Sequence, residues 1–264
     1  MKIFSLLVFL AQMQSNNLVI PVGGSPQILI PAAGAIQGAN GTFFRSDVSL
    51  VNYTTHNQRV QLRWLPQGVT GSGIAIREIT IPALSGIVSE DFVTNVMAQS
   101  GLGSILITGV AADGFGDSTA RLFATSRIWS NQPGLSSGTV SQSFPSLPTT
   151  SIISTNLSLL GLRRDDRYRL NVGIVNLDPS NPQEFQIIVG GSSATPETTN
   201  VTVPPLSMVQ TSLVGPALSN LQVAVQNVSA GTRTSSWIAY GSSIDNTTGD
   251  AWSEIGYTAP PNQP

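Results

Sequence analysis

The sequence predicts an all-β protein built as two tandem antiparallel β-sandwiches, on three observations. The stretch Phe43 to Asn52 (FFRSDVSLVN) returns as Arg167 to Asn176 (RYRLNVGIVN); both copies run from an aromatic–Arg pair to a closing Val-Asn. Residues alternate within each copy, which gives a strand two faces. Phe44, Val48 and Leu50, or Tyr168, Leu170, Val172 and Ile174, belong inward; Arg45 and Asp47, or Arg169 and Asn171, belong outward. Lastly, no long segment has helical apolar spacing. Only Glu90 to Gln99 suggests a short helical turn, whereas Gly (25) and Pro (17) punctuate the chain throughout.

The elements follow in order. Met1 to Ala11 carries one Lys and a short apolar run, too short to span a bilayer and consistent with a signal peptide over residues 1–15. The competing reading is a buried N-terminal strand. Leu18 to Pro21 and Ile28 to Pro31 are apolar runs closed by proline and read as edge or entry strands. Arg59 to Trp64 alternates with Val60, Leu62 and Trp64 inward; its counterpart Glu184 to Val189 places Phe185, Ile187 and Val189 inward. Ile79 to Ser85 matches Val201 to Ser207, a strand stopped by a proline turn. Gly103 to Thr108 matches Leu221 to Gln226, and Leu122 to Asn131 matches Trp237 to Asn246.

The offset between copies falls from 124 residues (Phe43 to Arg167) to 115 (Leu122 to Trp237), as differences in loop length would cause. About seven strands per copy, separated by turn signals, is the pattern of an immunoglobulin-like sandwich. The expected domains are 16–135 and 136–258, followed by a disordered tail over 259–264. Asn131 to Gly138 reads as the linker, and Ser141 to Thr150 as the first strand of the second sandwich.

Tyr168 to Asn176, together with Ala239 to Asp250 (AYGSSIDNTTGD), resembles signatures of tandem β-sandwich modules in secreted bacterial proteins without assigned activity. The first copy departs from the second signature, ending Arg127-Ile128-Trp129-Ser130-Asn131 without Thr-Gly-Asp. The resemblance implies fold and export, hence a secreted or cell-surface location, and it carries over no catalytic residue.

The inventory restricts chemistry. Net charge is −2, and the longest basic run, Arg163-Arg164, is followed at once by Asp165-Asp166, so no footprint for nucleic acid exists. There is no Cys, which removes disulfides and thiolate chemistry. His56 is the single His and lies in a hairpin loop without a nucleophile-elbow pattern, so a solvated loop residue is expected. No enzyme activity and no membrane span in the mature chain are expected.

Two turns offer calcium-type oxygen ligands: Asp113 to Asp117, and Asp245-Asn246-Thr247-Thr248-Gly249-Asp250. Asp113, Asp117, Asp245, Asn246 and Asp250 are the candidate ligands. The same residues make ordinary tight turns, and that outcome is preferred: Asp245 or Asn246 bonding nearby N–H groups, with Gly249 at positive φ. Trp64 and Trp237 read as core, whereas Trp129 and Trp252 are surface candidates for a binding platform. Arg45 and Asp47 are further binding candidates, though outward-facing ion pairs or bonds to loop carbonyls are the preferred reading. The partner is a protein or, alternatively, a glycan; a glycan site would show coplanar exposed aromatics. A hydrolase would need convergent carboxylates in a cleft.

Overall fold

A computed structural model of the chain describes residues 24–258, apart from 39–40, 133, 136, 153–155, 192–193, 219–220 and 230–235. The expected signal segment, the Leu18 to Pro21 run and the 259–264 tail lie outside the described residues. The fold is all-β, in several antiparallel sheets.

The leading half contains β1 (Gln27–Gln37), β2 (Phe43–Asn52), β3 (Gln58–Pro66), β4 (Arg77–Ile81) and β5 (Ser85–Ser89). The one-turn helix α1 (Phe92–Asn95) follows, then β6 (Gly101–Val110), β7 (Leu122–Asn131), β8 (Thr139–Pro145) and β9 (Leu147–Pro148). A 3-10 turn (Thr149–Ser151) leads out of this half. The trailing half contains β10 (Leu157–Leu159), β11 (Tyr168–Asn176), β12 (Gln183–Gly191), β13 (Ala194–Val203) and β14 (Ser207–Leu213). It closes with β15 (Gln222–Asn227), β16 (Trp237–Asp245), β17 (Ala251–Ile255) and β18 (Tyr257–Thr258).

In the leading half the path β4-β3-β6-β1-β2-β7-β8 is continuous, with β5 on β2 and β9 on β1. β1 pairs β6 along most of its length and passes to β2 at Ile36 and Gln37, so it belongs to both layers. The trailing half has two separate sheets, β13-β12-β15-β10-β18 and β14-β11-β16-β17. Each half is sandwich-like, its alternating inward residues forming one core. Ile28, Ile30, Val48, Leu50, Leu62 and Trp64 belong to the first; Leu170, Val172, Ile174, Phe185, Ile187 and Trp237 belong to the second.

Two expectations are corrected. Ile28 to Pro31 is not an edge: β1 lies between β6 and β2. Pro31 is tolerated there because the β1–β6 register shifts between Ile30 and Ala33, and Ser104 Oγ donates to the Pro31 carbonyl at 2.6 Å. A bulge is one place where a strand can absorb a residue without an N–H. Ser141 to Thr150 does not open the trailing half either. β8 pairs β7 from Asn131↔Thr139 to Thr125↔Pro145, and β9 pairs β1. β7 and β8 therefore form a hairpin, and the chain leaves the leading half only after Pro148.

A third core joins the halves. Leu29, Ala32, Leu65, Ile128 and Phe144 of the leading half pack with Val175, Leu206, Met208, Ile238 and Tyr240 of the trailing half. Backbone bonds reinforce it: Gly68 N–H donates to Met208 O at 2.8 Å, and Gly71 N–H lies 3.1 Å from Leu206 O. Gly71 has to be glycine, because a Cβ would be driven into the Leu206 carbonyl. Ser207 Oγ donates to Pro66 O at 2.8 Å, Ser242 Oγ to Gln142 Oε1 at 2.6 Å and Ser253 Oγ to Ser143 O at 2.9 Å.

Candidate functional site

The closing Asn of each signature strand is a structural hub. Fully buried Asn52 points its Nδ2 at the carbonyls of His56 (2.8 Å), Pro82 (3.1 Å) and Ile81 (3.3 Å). Its Oδ1 accepts from the Thr54 N–H and hydroxyl. Fully buried Asn176 points its Nδ2 at Asn181, Pro204 and Val203, all between 3.0 and 3.1 Å. Its Oδ1 accepts from the Asp178 N–H and from Gln183 Nε2. Leu84 (φ 47°) and Leu206 (φ 46°) hold the left-handed conformation after the proline turns, donating to Thr54 O and Asp178 O respectively. These polar residues tie each hairpin to the proline turn and are unavailable for chemistry.

The outward face of the β5-β2-β7-β8 layer carries accessible polar and aromatic groups, which the strand registers order into four rows. Gly86, Val51 and Phe123 form the first row; Val88, Ser49, Thr125 and Pro145 the second. Asp47, Arg127 and Ser143 form the third, and Arg45, Trp129 and Ser141 the fourth. Phe123 is 37% exposed and Val88 73%, and exposed Leu84 lies just before β5.

At the charged end, the Arg45 guanidinium lies 4.8 Å from the Phe43 ring centre and 5.6 Å from that of Trp129. Arg127 reaches the same indole from 5.8 Å, so two cations flank Trp129. Such contacts contribute about 0.5–1 kcal/mol each at an exposed site. Asp91 lies 4.0 Å from Arg45, and Asp47 lies 3.6 Å from Arg127 and accepts the Asp91 N–H at 3.2 Å. The face is thus charged but balanced. A shallow cavity of about 340 Å³ opens beside it, lined in part by Gly41, Thr42, Phe43, Arg45 and Asn131.

The structure brings Arg45, Asp47 and Trp129 together and leaves Trp252 elsewhere. Trp252 packs edge-on against Tyr168 (5.4 Å, 66°) and donates Nε1–H to Gly161 O at 3.0 Å. Trp64 and Trp237 are core residues, as their alternation implied. Arg127, Asp91, Val88 and Phe123 join this candidate face, though sequence reading did not single them out. Arg127 and Phe123 lie in the Leu122 to Asn131 run that the sequence marks, but only the register sets them beside Asp47 and Val51. Asp91 arrives from the left-handed turn before α1, a contact no local pattern encodes.

Both acidic turns take the geometry of ordinary turns. Asp245 Oδ1 accepts the Thr247 and Thr248 N–H groups at 2.7 and 3.2 Å, its Oδ2 accepts from Arg167 at 2.7 Å, and Gly249 has φ 77°. Burial works against the Asp245 charge, but the Thr247 N–H, the Arg167 guanidinium and the Thr248 N–H outweigh it and hold the carboxyl below the usual aspartate range. Asn246 Oδ1 accepts from Arg169 at 2.9 Å, and the Asp250 N–H bonds Thr248 Oγ1 at 3.2 Å. Asp113 Oδ1 accepts the Phe115 N–H, and Asp117 Oδ1 the Thr119 N–H and hydroxyl. Among the described residues no three His, Cys, Asp or Glu side chains form a metal-ligand group. His56 is exposed, with Nε2 3.9 Å from Asp117. Among the described residues no helix is long and apolar enough to cross a membrane.

Comparison with models of known protein families gives no match, and comparison with curated proteins gives none.

Proposed function

We propose that the chain is an exported, non-enzymatic module of two tandem immunoglobulin-like sandwiches, serving structural or protein-binding work through the outward β5-β2-β7-β8 face. The observation that carries this reading is that the matching face of the trailing half, on β14-β11-β16-β17, is already a protein contact, buried against the leading half.

Matched registers support the repeat. Asn52 stands opposite Ser85 and Leu122, and Asn176 opposite Ser207 and Trp237. The layer orders β4-β3-β6-β1 and β13-β12-β15-β10 correspond, as do β5-β2-β7-β8 and β14-β11-β16-β17. On this reading Asn131 falls on Asn246, and the leading copy extends through Pro148 instead of ending at 135. Export follows the expected signal segment and the resemblance to secreted modules.

A protein partner is favoured over a glycan because Trp129 is flanked by Arg45 and Arg127, while Tyr168 and Trp252 meet at a steep angle; neither makes a flat sugar platform. Probing protein and glycan arrays with the purified chain and with Phe123→Glu tests the proposal. Binding to proteins that Phe123→Glu abolishes is expected; binding confined to glycans would contradict it.

A further inference from the structure

The trailing half shows what covers this kind of face: Val175, Ile238, Tyr240 and Met208 sit against a surface made by Leu29, Leu65, Ile128 and Phe144. The trailing half does not present such a surface in turn. The pair Leu29↔Leu106 is matched there by Ser158↔Ala224, and Ser126↔Phe144 by Gly241↔Glu254. Leu65, opposite Ser104, is matched by Gly190, opposite Gln222. Head-to-tail stacking of copies through a repeat of the internal contact is therefore blocked, since the apolar receiving residues have become polar or small.

The leading face is instead complementary to itself. Row by row, β2 presents Val51, Ser49, Asp47 and Arg45, and β7 presents Phe123, Thr125, Arg127 and Trp129 opposite them. We infer that two copies of this chain pack these faces together around a two-fold axis running along β2 and β7, with β2 of each copy over β7 of the other. That operator sets Asp47 against the partner's Arg127, Arg45 against the partner's Trp129, Ser49 against the partner's Thr125 and Val51 against the partner's Phe123. Each row thus meets its chemical complement: ion pair, cation on indole, hydroxyl pair and apolar pair. Isologous two-fold dimers are the commonest closed assembly, and aligned sheets pack face to face within about 30°. The inference rests on the proposed use of this face and names its partner as a second copy.

Light scattering coupled to size exclusion, run up to millimolar chain, should show a dimer. Phe123→Glu should run as a monomer that still unfolds in one cooperative transition, its Tm no longer rising with chain concentration as the native Tm does. Asp47→Arg alone places two cations in each contact pair, and Arg127→Asp alone places two anions; each should be monomeric. Mixed in equal amounts, those two variants regain an Asp–Arg pair at both contacts and should form a heterodimer. A native chain that stays monomeric overturns the inference. So does a dimer unaffected by Phe123→Glu, or a mixture that fails to reassociate. A monomeric chain that still binds proteins through Phe123 would overturn the dimer while leaving the proposed function standing.

Discussion

The outward faces of β5-β2-β7-β8 and β14-β11-β16-β17, which the proposed repeat sets in equivalent positions, meet opposite surroundings. Where the trailing sheet has Met208, Gly173, Tyr240 and Ile255, the leading sheet has Gly86, Ser49, Thr125 and Pro145. Tyr240 is fully buried, lies over Gly173 and meets Phe144 edge-on at 5.1 Å. The two left-handed leucines diverge in the same way: Leu206 is 9% exposed within the third core, and Leu84 is 49% exposed. Burial of a face is thus written in a handful of outward residues, while the inward alternation and the Asn hub stay the same on both sides.

The largest break in that comparison comes from emptying the covered face. Tyr240→Ala should cost about 3–5 kcal/mol, the range for removing a buried aromatic ring, whereas Thr125→Ala on the open face should stay within about 0.5 kcal/mol. Urea melts of the two variants compare them directly. The hub should respond alike in both halves. Asn52→Ala and Asn176→Ala each strand buried carbonyls, and each should cost about 3 kcal/mol. A hub that matters in only one half would show as unequal midpoints.

A smaller effect is expected in acid. The Asp245 carboxyl is held below its ordinary range, so its contribution is complete above the unfolded aspartate pKa and is lost as pH falls through the folded value. Asp245→Asn should therefore flatten the fall in stability below about pH 4, seen in melts across that window. At the other extreme, burial pushes the Tyr240 phenol far above its ordinary value, so stability is lost as pH rises past the unfolded tyrosine pKa, where the unfolded chain releases a proton that the folded chain holds. Absorbance titration should find one tyrosine that ionises only with loss of structure.

Much of the scaffold was legible in the sequence. Period-two alternation placed Val60, Leu62, Trp64, Phe185, Ile187 and Val189 inward, and all are buried. The third core was not legible, for a physical reason. Alternation assigns Leu29, Leu65 and Tyr240 to the face opposite the core, but it carries no information on what covers that face. Pro31 misled because a bulge depends on the β6 register, which no local pattern contains. On the candidate face, sequence reading had singled out Arg45, Asp47 and Trp129, but not the approach of Asp91, 44 residues beyond Asp47.

The two halves form one body through the third core, and a double-mutant cycle on Phe144 and Tyr240 probes that union at its aromatic contact. The two rings lie in different halves and meet at 5.1 Å and 71°. Measured by urea unfolding of the native chain, Phe144→Leu, Tyr240→Leu and the double variant, the cycle should yield a coupling of about 0.5–1.5 kcal/mol. Effects that simply add, with coupling below about 0.3 kcal/mol, would contradict it.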